Sequence, residues 1–214
     1  MQRSEVEPRA NPFVTCLCLT RDRRQWLPKA ITCFQTQTYR NSELLILSDG
    51  QDVQDLLPVD PRIRLIHLDT RLSIGSKRNF GCSRAIGDIV AHWDDDDYSA
   101  PERLADQVRR LNETGKSVTG YHSMRFTDGA RYWKYNGLVN YSLGTSLTYR
   151  KAWWMDHTFA PVQVGEDNRF VAAAAEAGEL AASDAGAMMY ATIHEGNTSP
   201  RNIGSSWSLI ESPL

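Results

Sequence analysis

The chain has no apolar run approaching the ~20 residues that span a bilayer, so no transmembrane helix is expected. It has no excess of either charge: 24 Lys and Arg stand against 26 Asp and Glu, a formal net charge of −2. That balance argues against nucleic acid as a partner, which takes a basic stripe or a large positive excess. Cysteine is scarce. Cys16, Cys18, Cys33 and Cys82 form neither a C-x-x-C redox pair nor a zinc spacing, so buried thiols in a cytoplasmic protein are expected. Cys16 and Cys18 lie two apart in a strand-like run and should share a face. No repeat, linker or low-complexity segment stands out. The start, Met1 to Asn11, is polar and carries Arg and Glu. It reads as a disordered tail over residues 1–12, not as a signal peptide.

What is present is an ordinary globular composition, with 41% hydrophobic and 23% charged residues among 214. That length holds one domain with a sizeable core. Phe13 to Leu19 and Glu43 to Ser48 read as buried strands, and Ile63 to Leu68 as a third strand nearer a sheet edge. Gly87 to Trp93 is a fourth. Trp26 to Thr36 has apolar residues at helical spacing, and Asp52 to Leu57 fits a short helix. Gly75 to Ile86 reads as a helix, with Gly87 placed as a left-handed cap. Ser99-Ala100-Pro101-Glu102 fits a capping box opening a helix that runs to about Asn112. Alternating strands and helices predict an α/β fold: a mixed, mainly parallel central sheet with helices on both faces. The second half is less regular. Ser117 to Tyr121, Gly144 to Tyr149 and Ala187 to Ile193 read as strands, and Asp167 to Ala177 as a helix.

The most informative feature is Asp94-Asp95-Asp96-Asp97, directly after the fourth strand. Two charges ~4 Å apart interact by ~4 kcal/mol at an effective dielectric of ~20, so four adjacent carboxylates at a strand end call for a cation. Hard oxygen ligands there suit Mg²⁺ or Mn²⁺, which also hold phosphate oxygens. The blander alternative is a solvated acidic turn. Ligands of such sheets bind beyond the carboxyl ends of the strands, where Thr20 to Asp22, Asp49 and the aspartates converge.

Val14 to Thr20, Asp49-Gly50, Gly75 to Asn79, Trp93 to Tyr98 and Gly165-Glu166-Asp167 together resemble the family 2 glycosyltransferases of the GT-A (Rossmann-like) fold. The family's Asp-x-Asp motif resembles Asp94-Asp95-Asp96, its A-R-N stretch Lys77-Arg78-Asn79, and its Glu-Asp motif Glu166-Asp167. The resemblance runs from about Phe13 to Ser199. It implies one domain over residues 13–200, with a nucleotide-binding half at 13–112 and an acceptor half at 113–200. Residues 201–214 then form a flexible tail or a lid carrying Arg201 and Trp207.

The resemblance implies an inverting, metal-dependent transfer from a nucleotide-diphosphate sugar, UDP-sugar favoured, to a hydroxyl acceptor such as a carbohydrate. The setting it implies is polysaccharide or glycoconjugate synthesis, with a homo-oligomer possible. Asp96 is the implied metal ligand with Mn²⁺ or Mg²⁺, and His194 completes the shell. Asp94 and Asp95 would bind ribose or a metal-bound water, and Asp97 would orient Asp96 or the sugar. Asp49 would accept from uracil N3–H, with Thr20 and Arg21 beside it. Lys77, Arg78 and Asn79 would line the diphosphate side. Asp167 is the implied general base, kept ionised by the helix dipole, with Glu166 as the alternative. One or two of Trp133, Tyr135, Trp153 and Trp154 are candidates for stacking on sugar rings. Two other readings compete. A sugar-phosphate nucleotidyltransferase usually opens with a Gly-rich loop after the first strand, and Thr20 to Arg24 has no glycine. A non-catalytic nucleotide- or carbohydrate-binding protein is the third.

Overall fold

The computed structural model describes residues 11–199 and 203–211. Residues 1–10 of the expected tail, and Arg201 of the expected lid, lie outside the described residues. Four strands run parallel in the order β3-β2-β1-β4: β1 (Val14–Thr20), β2 (Ser42–Ser48), β3 (Ile63–His67) and β4 (Ile89–His92). β3 takes the edge, as its alternation predicts. β2 is buried at every position, the pattern of a strand covered on both faces. Alternate residues explain how. Cys16, Cys18, Leu44 and Ile46 pack against α1 (Leu27–Gln35) and α3 (Arg103–Thr114). Leu17, Leu45 and Leu47 pack the other way, with Cys82 of α2 (Ile74–Arg84) and Phe170 of α5 (Asn168–Glu176). All four thiols are buried and free.

The second half attaches through β4, which pairs antiparallel with β8 (Thr148–Arg150). The ten-residue β6 (Val118–Thr127) is the seam. It pairs antiparallel with β8 and β7 (Tyr132–Asn136), and parallel with β9 (Leu180–Asp184) and β10 (Met189–Thr192). β10 also pairs with the short β5 (Tyr98–Ser99), which brings the end of the acidic loop to the second half.

Several expectations change here. Residues 207–210, expected in a flexible tail or lid, form β11 (Trp207–Ile210) on the edge of β7. The reason is Trp207, whose ring lies 4.6 Å from that of Phe126 and 5.2 Å from that of Tyr135. β9 went unread because Leu-Ala-Ala-Ser-Asp carries a weak apolar signal. Gly144–Ser146 is a 3-10 turn preceding β8, not part of a strand. There is no capping box at α3: Ser99 lies in β5, and buried Gln37 caps the helix by accepting from Leu104 N at 3.0 Å.

Gly87 is not a left-handed cap either. A Cβ there would lie 2.6 Å from Thr15 N and 2.7 Å from Ile89 O, so glycine is required by backbone packed against β1. Backbone cannot yield as a side chain can. Gly87→Ala should therefore cost on the order of 2 kcal/mol in urea unfolding, and a cost below ~0.5 kcal/mol would contradict that close approach.

Candidate active site

The parallel strands deliver Thr20, Asp49 and Asp94 to Asp97 to one edge of the sheet. Trp93 anchors the acidic loop from the core: its Nε1 donates to Ala30 O at 3.0 Å, and its ring meets Phe34 edge-on. Beneath the loop lies fully buried Arg103. It donates to Ser99 Oγ at 2.7 Å and His92 O at 2.8 Å, and stands 5.0 Å from the Trp93 ring. A buried guanidinium with its donors used fixes the backbone on both sides of the aspartates.

Each aspartate then meets a different environment. Asp95 accepts from Thr20 Oγ1 at 2.7 Å and lies 3.2 Å from Arg23 Nη1. Asp96 accepts from Arg23 Nη2, sits 2.9 Å from His194 Nε2, and accepts from Asn197 Nδ2 at 3.3 Å. Asp97 accepts from Thr145 Oγ1 and from Thr192 N at 3.0 Å. Asp94, Asp96 and Asp97 offer carboxylate oxygens within 4.8 Å of one another. Burial, with the Asp96 and Asp94 charges added, pushes Asp97 up to about 8. Burial likewise pushes Asp95 up to about 7, although Arg23 pulls the other way. Three hard oxygen donors this close together fit a divalent cation.

Across the cleft stands the second acidic pair. Buried Arg78 donates from Nε to Glu166 Oε1 at 3.0 Å, and its Nη2 lies 3.8 Å from Asp94. Glu166 is thereby engaged. Asp167 opens α5 with its carboxylate against Gly144, where a Cβ would lie 1.9 Å from Oδ2. Burial and then the Glu166 charge raise the Asp167 pKa, with Arg78 opposing. The helix dipole does not win here, contrary to expectation. A carboxylate raised toward neutral pH is a better proton acceptor. The acidic loop, Arg23, Arg78, Thr145, Glu166 and Asp167 line one cleft of about 330 Å³.

The sequence profile described as glycosyl transferase family 2 matches residues 16–169. The chain belongs to that family. A putative colanic acid biosynthesis glycosyl transferase, WcaA of Escherichia coli, is 32% identical over 101 residues, covering 44% of this chain and 36% of WcaA. An uncharacterised glycosyltransferase of Rickettsia felis is 29% identical over 126 residues, covering 50% of this chain and 21% of its own length. The chain thus spans well under half of these relatives. The fold is GT-A. S. aureus TarS in complex with UDP-GlcNAc superposes with a TM-score of 0.72 at 20% identity, covering 89% of this chain and 62% of that one. The mannosyltransferase PcManGT of Pyrobaculum calidifontis, in complex with GDP-Man and Mn²⁺, gives 0.67 at 15% identity, covering 86% and 57%.

The remaining expected residues separate. Lys77 does not reach toward the acidic loop. It is buried and pairs with Asp49, whose other oxygen accepts from Leu72 N at 3.1 Å. Burial lowers the Lys77 pKa against the pull of Asp49. Asn79 is spent on structure. It bonds Phe159 N and O at 2.9 Å each and accepts from Trp154 Nε1 at 3.0 Å, bracing the segment before Glu166. Half-exposed Arg21 leans on Asp22, which takes φ 52° and accepts from Gln51 N at 2.9 Å. Trp133, Trp153 and Trp154 do not line the acidic cleft; Tyr141 does. Trp153 is stacked on His157 instead, 3.8 Å away.

Sequence reasoning missed Arg23, Thr145, Thr192 and Asn197. Arg23 sits in a polar run with Arg21 and Arg24, and nothing in the run singles it out. The threonines and Asn197 acquire their roles only through strand pairing and loop closure in the second half.

The raised carboxyls fix a pH dependence. Asp95 and Asp97 hold protons in the folded state that the unfolded chain releases near ~3.9. Their stabilisation is complete below that value and is lost as pH rises through about 7 and about 8. In the presence of a chelator, unfolding free energy should fall by several kcal/mol, on the order of 5, between pH ~5 and ~8.5, and Asp97→Asn should flatten the fall. A profile that rises over this interval in chemical unfolding would contradict these shifts.

Proposed function

We propose that this glycosyltransferase moves a sugar from a nucleoside-diphosphate sugar to a hydroxyl acceptor by single displacement with inversion. The observation that carries this reading is one cleft holding the aspartate triad together with Arg78 and Asp167. A divalent ion, Mn²⁺ or Mg²⁺, held by Asp96 and His194 with Asp94 and Asp97 beside them, would supply positive charge to the departing diphosphate. Arg78 adds a fixed cation with its Nη1 buried and unpartnered, available to a phosphate or sugar oxygen. Asp167 takes the proton from the acceptor hydroxyl as that oxygen attacks the anomeric carbon. Glu166 positions Arg78 and shapes the approach.

The base is assigned to the ends of β1 and β2, beside Thr20, Arg21 and Asp49. The Asp49 side chain is fully buried and held by Lys77 and Leu72 N, so it would have to be released from one of them to accept from uracil N3–H. Arg21 Nη1 is likewise buried without a partner. Residues 13–112 carry the donor and residues 113–200 the acceptor. An apolar groove lined by Tyr135, Leu138, Tyr141 and Val171 adjoins the cleft, and the two share Tyr141 and Asn168. It supplies a surface for the acceptor. The likeness to WcaA, a colanic acid biosynthesis glycosyl transferase by name, supports polysaccharide synthesis as the setting. Among the described residues no helix is long and apolar enough to cross a membrane.

Two variants separate donor binding from chemistry. Calorimetric titration of nucleoside diphosphates with Mn²⁺ should show preference for UDP, and Asp96→Ala should abolish the Mn²⁺-dependent part. Asp167→Asn should bind UDP within about twofold of the parent yet lose roughly 10²- to 10⁴-fold in donor turnover. Equal turnover in Asp167→Asn would remove it as the base. Mn²⁺-dependent UDP binding retained in Asp96→Ala would remove the acidic loop from the donor site.

A further inference from the structure

Arg23 stands on the atoms that the proposed ion needs. Its Nη2 donates to Asp96 Oδ2 and lies 3.0 Å from His194 Nε2, while its Nη1 is 3.2 Å from Asp95 Oδ1. His194 Nε2 is itself 2.9 Å from that same Asp96 oxygen. Three groups therefore converge on one point. The His194 ring is held there by stacking on Trp26, with centroids 4.7 Å apart, and its backbone N–H donates to Asn197 Oδ1 at 2.7 Å. An ion bonded to both Asp96 Oδ2 and His194 Nε2 would need the space that Nη2 fills. Two cations at that spacing in a partly buried cleft would also repel each other strongly.

We infer that Arg23 is a built-in counter-cation that competes with the divalent ion for Asp96. With no ion bound, it neutralises Asp95 and Asp96. When an ion arrives, the guanidinium leaves Asp96. Its side chain is 23% exposed at the cleft, and its Nε is buried without a partner, so it lacks a full set of bonds where it is. A diphosphate in the cleft offers the displaced guanidinium an anion of matching geometry. Ion and nucleotide thus assist each other: the ion frees Arg23, and the nucleotide gives it a new partner. Arg23 sets how strongly the two ligands are coupled, so that the ion alone binds weakly and the pair binds well. The inference rests on the acidic loop being the ion site proposed above.

Mn²⁺ titration followed by electron paramagnetic resonance, with and without UDP, tests it without any acceptor. The probes are Mn²⁺ and UDP, and the proteins are the parent, Arg23→Gln and Arg23→Lys. In the parent, UDP should tighten Mn²⁺ by a factor within the usual coupling range of about 5- to 150-fold. Arg23→Gln should bind Mn²⁺ alone about tenfold more tightly than the parent and lose most of the UDP effect. Arg23→Lys keeps the charge with fewer donors and should fall between; it decides the matter if the glutamine variant does not fold. Unchanged or weaker Mn²⁺ binding in these variants, with normal binding in the parent, would overturn the counter-cation and leave the donor site standing. No Mn²⁺ binding by the parent even with UDP would overturn both.

Discussion

Four carboxylates at the end of one buried strand are the constraint around which the structure is arranged. Their mutual repulsion must be offset, and the fold distributes the task. Arg23 reaches Asp95 and Asp96 from the loop after β1. Thr145 and Thr192 bind Asp97 from the second half of the chain. Arg78 approaches Asp94 from α2. Arg103 touches none of the four carboxylates, yet it holds the backbone from below through His92 O and Ser99. These bonds do not fully compensate. Asp95 and Asp97 still hold protons near neutral pH, chiefly because burial disfavours their charged forms, with the neighbouring aspartate charges added.

The same loop ties the two sides of the cleft together. The 3-10 turn Gly144–Ser146 meets Asp97 through Thr145 Oγ1 and leaves room for the Asp167 carboxylate at Gly144. His92, fully buried and kept neutral by burial and the nearby Arg78 charge, fixes this turn through Nδ1, 2.6 Å from Gly144 O. One short turn thus spans from the acidic loop to the carboxylate assigned as base. Catalytic geometry held by such packed elements tolerates little displacement, since small misplacements cost large factors in rate.

Much of this was legible in the sequence, and the pattern of success has a physical reason. β1, β2 and β4 announce themselves because strands buried on both faces read as unbroken apolar runs. The aspartate run stands out because charge beside such a run is costly unless used, whereas Glu166-Asp167 is picked out by its resemblance to the family's Glu-Asp motif. What failed depended on contacts distant in sequence. Lys77 looked like a phosphate ligand until Asp49 took it, and Asn79 until Phe159 and Trp154 did. Ser99 fits a capping pattern, but the sheet claims it for β5. Residues 207–210, Trp-Ser-Leu-Ile, sit in a Gly/Ser-containing tail, and the contacts of Trp207 with Phe126 and Tyr135 draw them onto β7. Arg23 is one of three arginines in four positions, and only the folded loop shows which one faces the aspartates.

The most direct test is a crystal structure of the protein with Mn²⁺ and UDP, with the ion located by its anomalous scattering. One strong peak bonded to Asp96 and His194 is expected, with the Arg23 guanidinium moved off Asp96 toward the diphosphate. A peak bonded to other residues, or no peak with UDP bound and Arg23 still on Asp96, would contradict it.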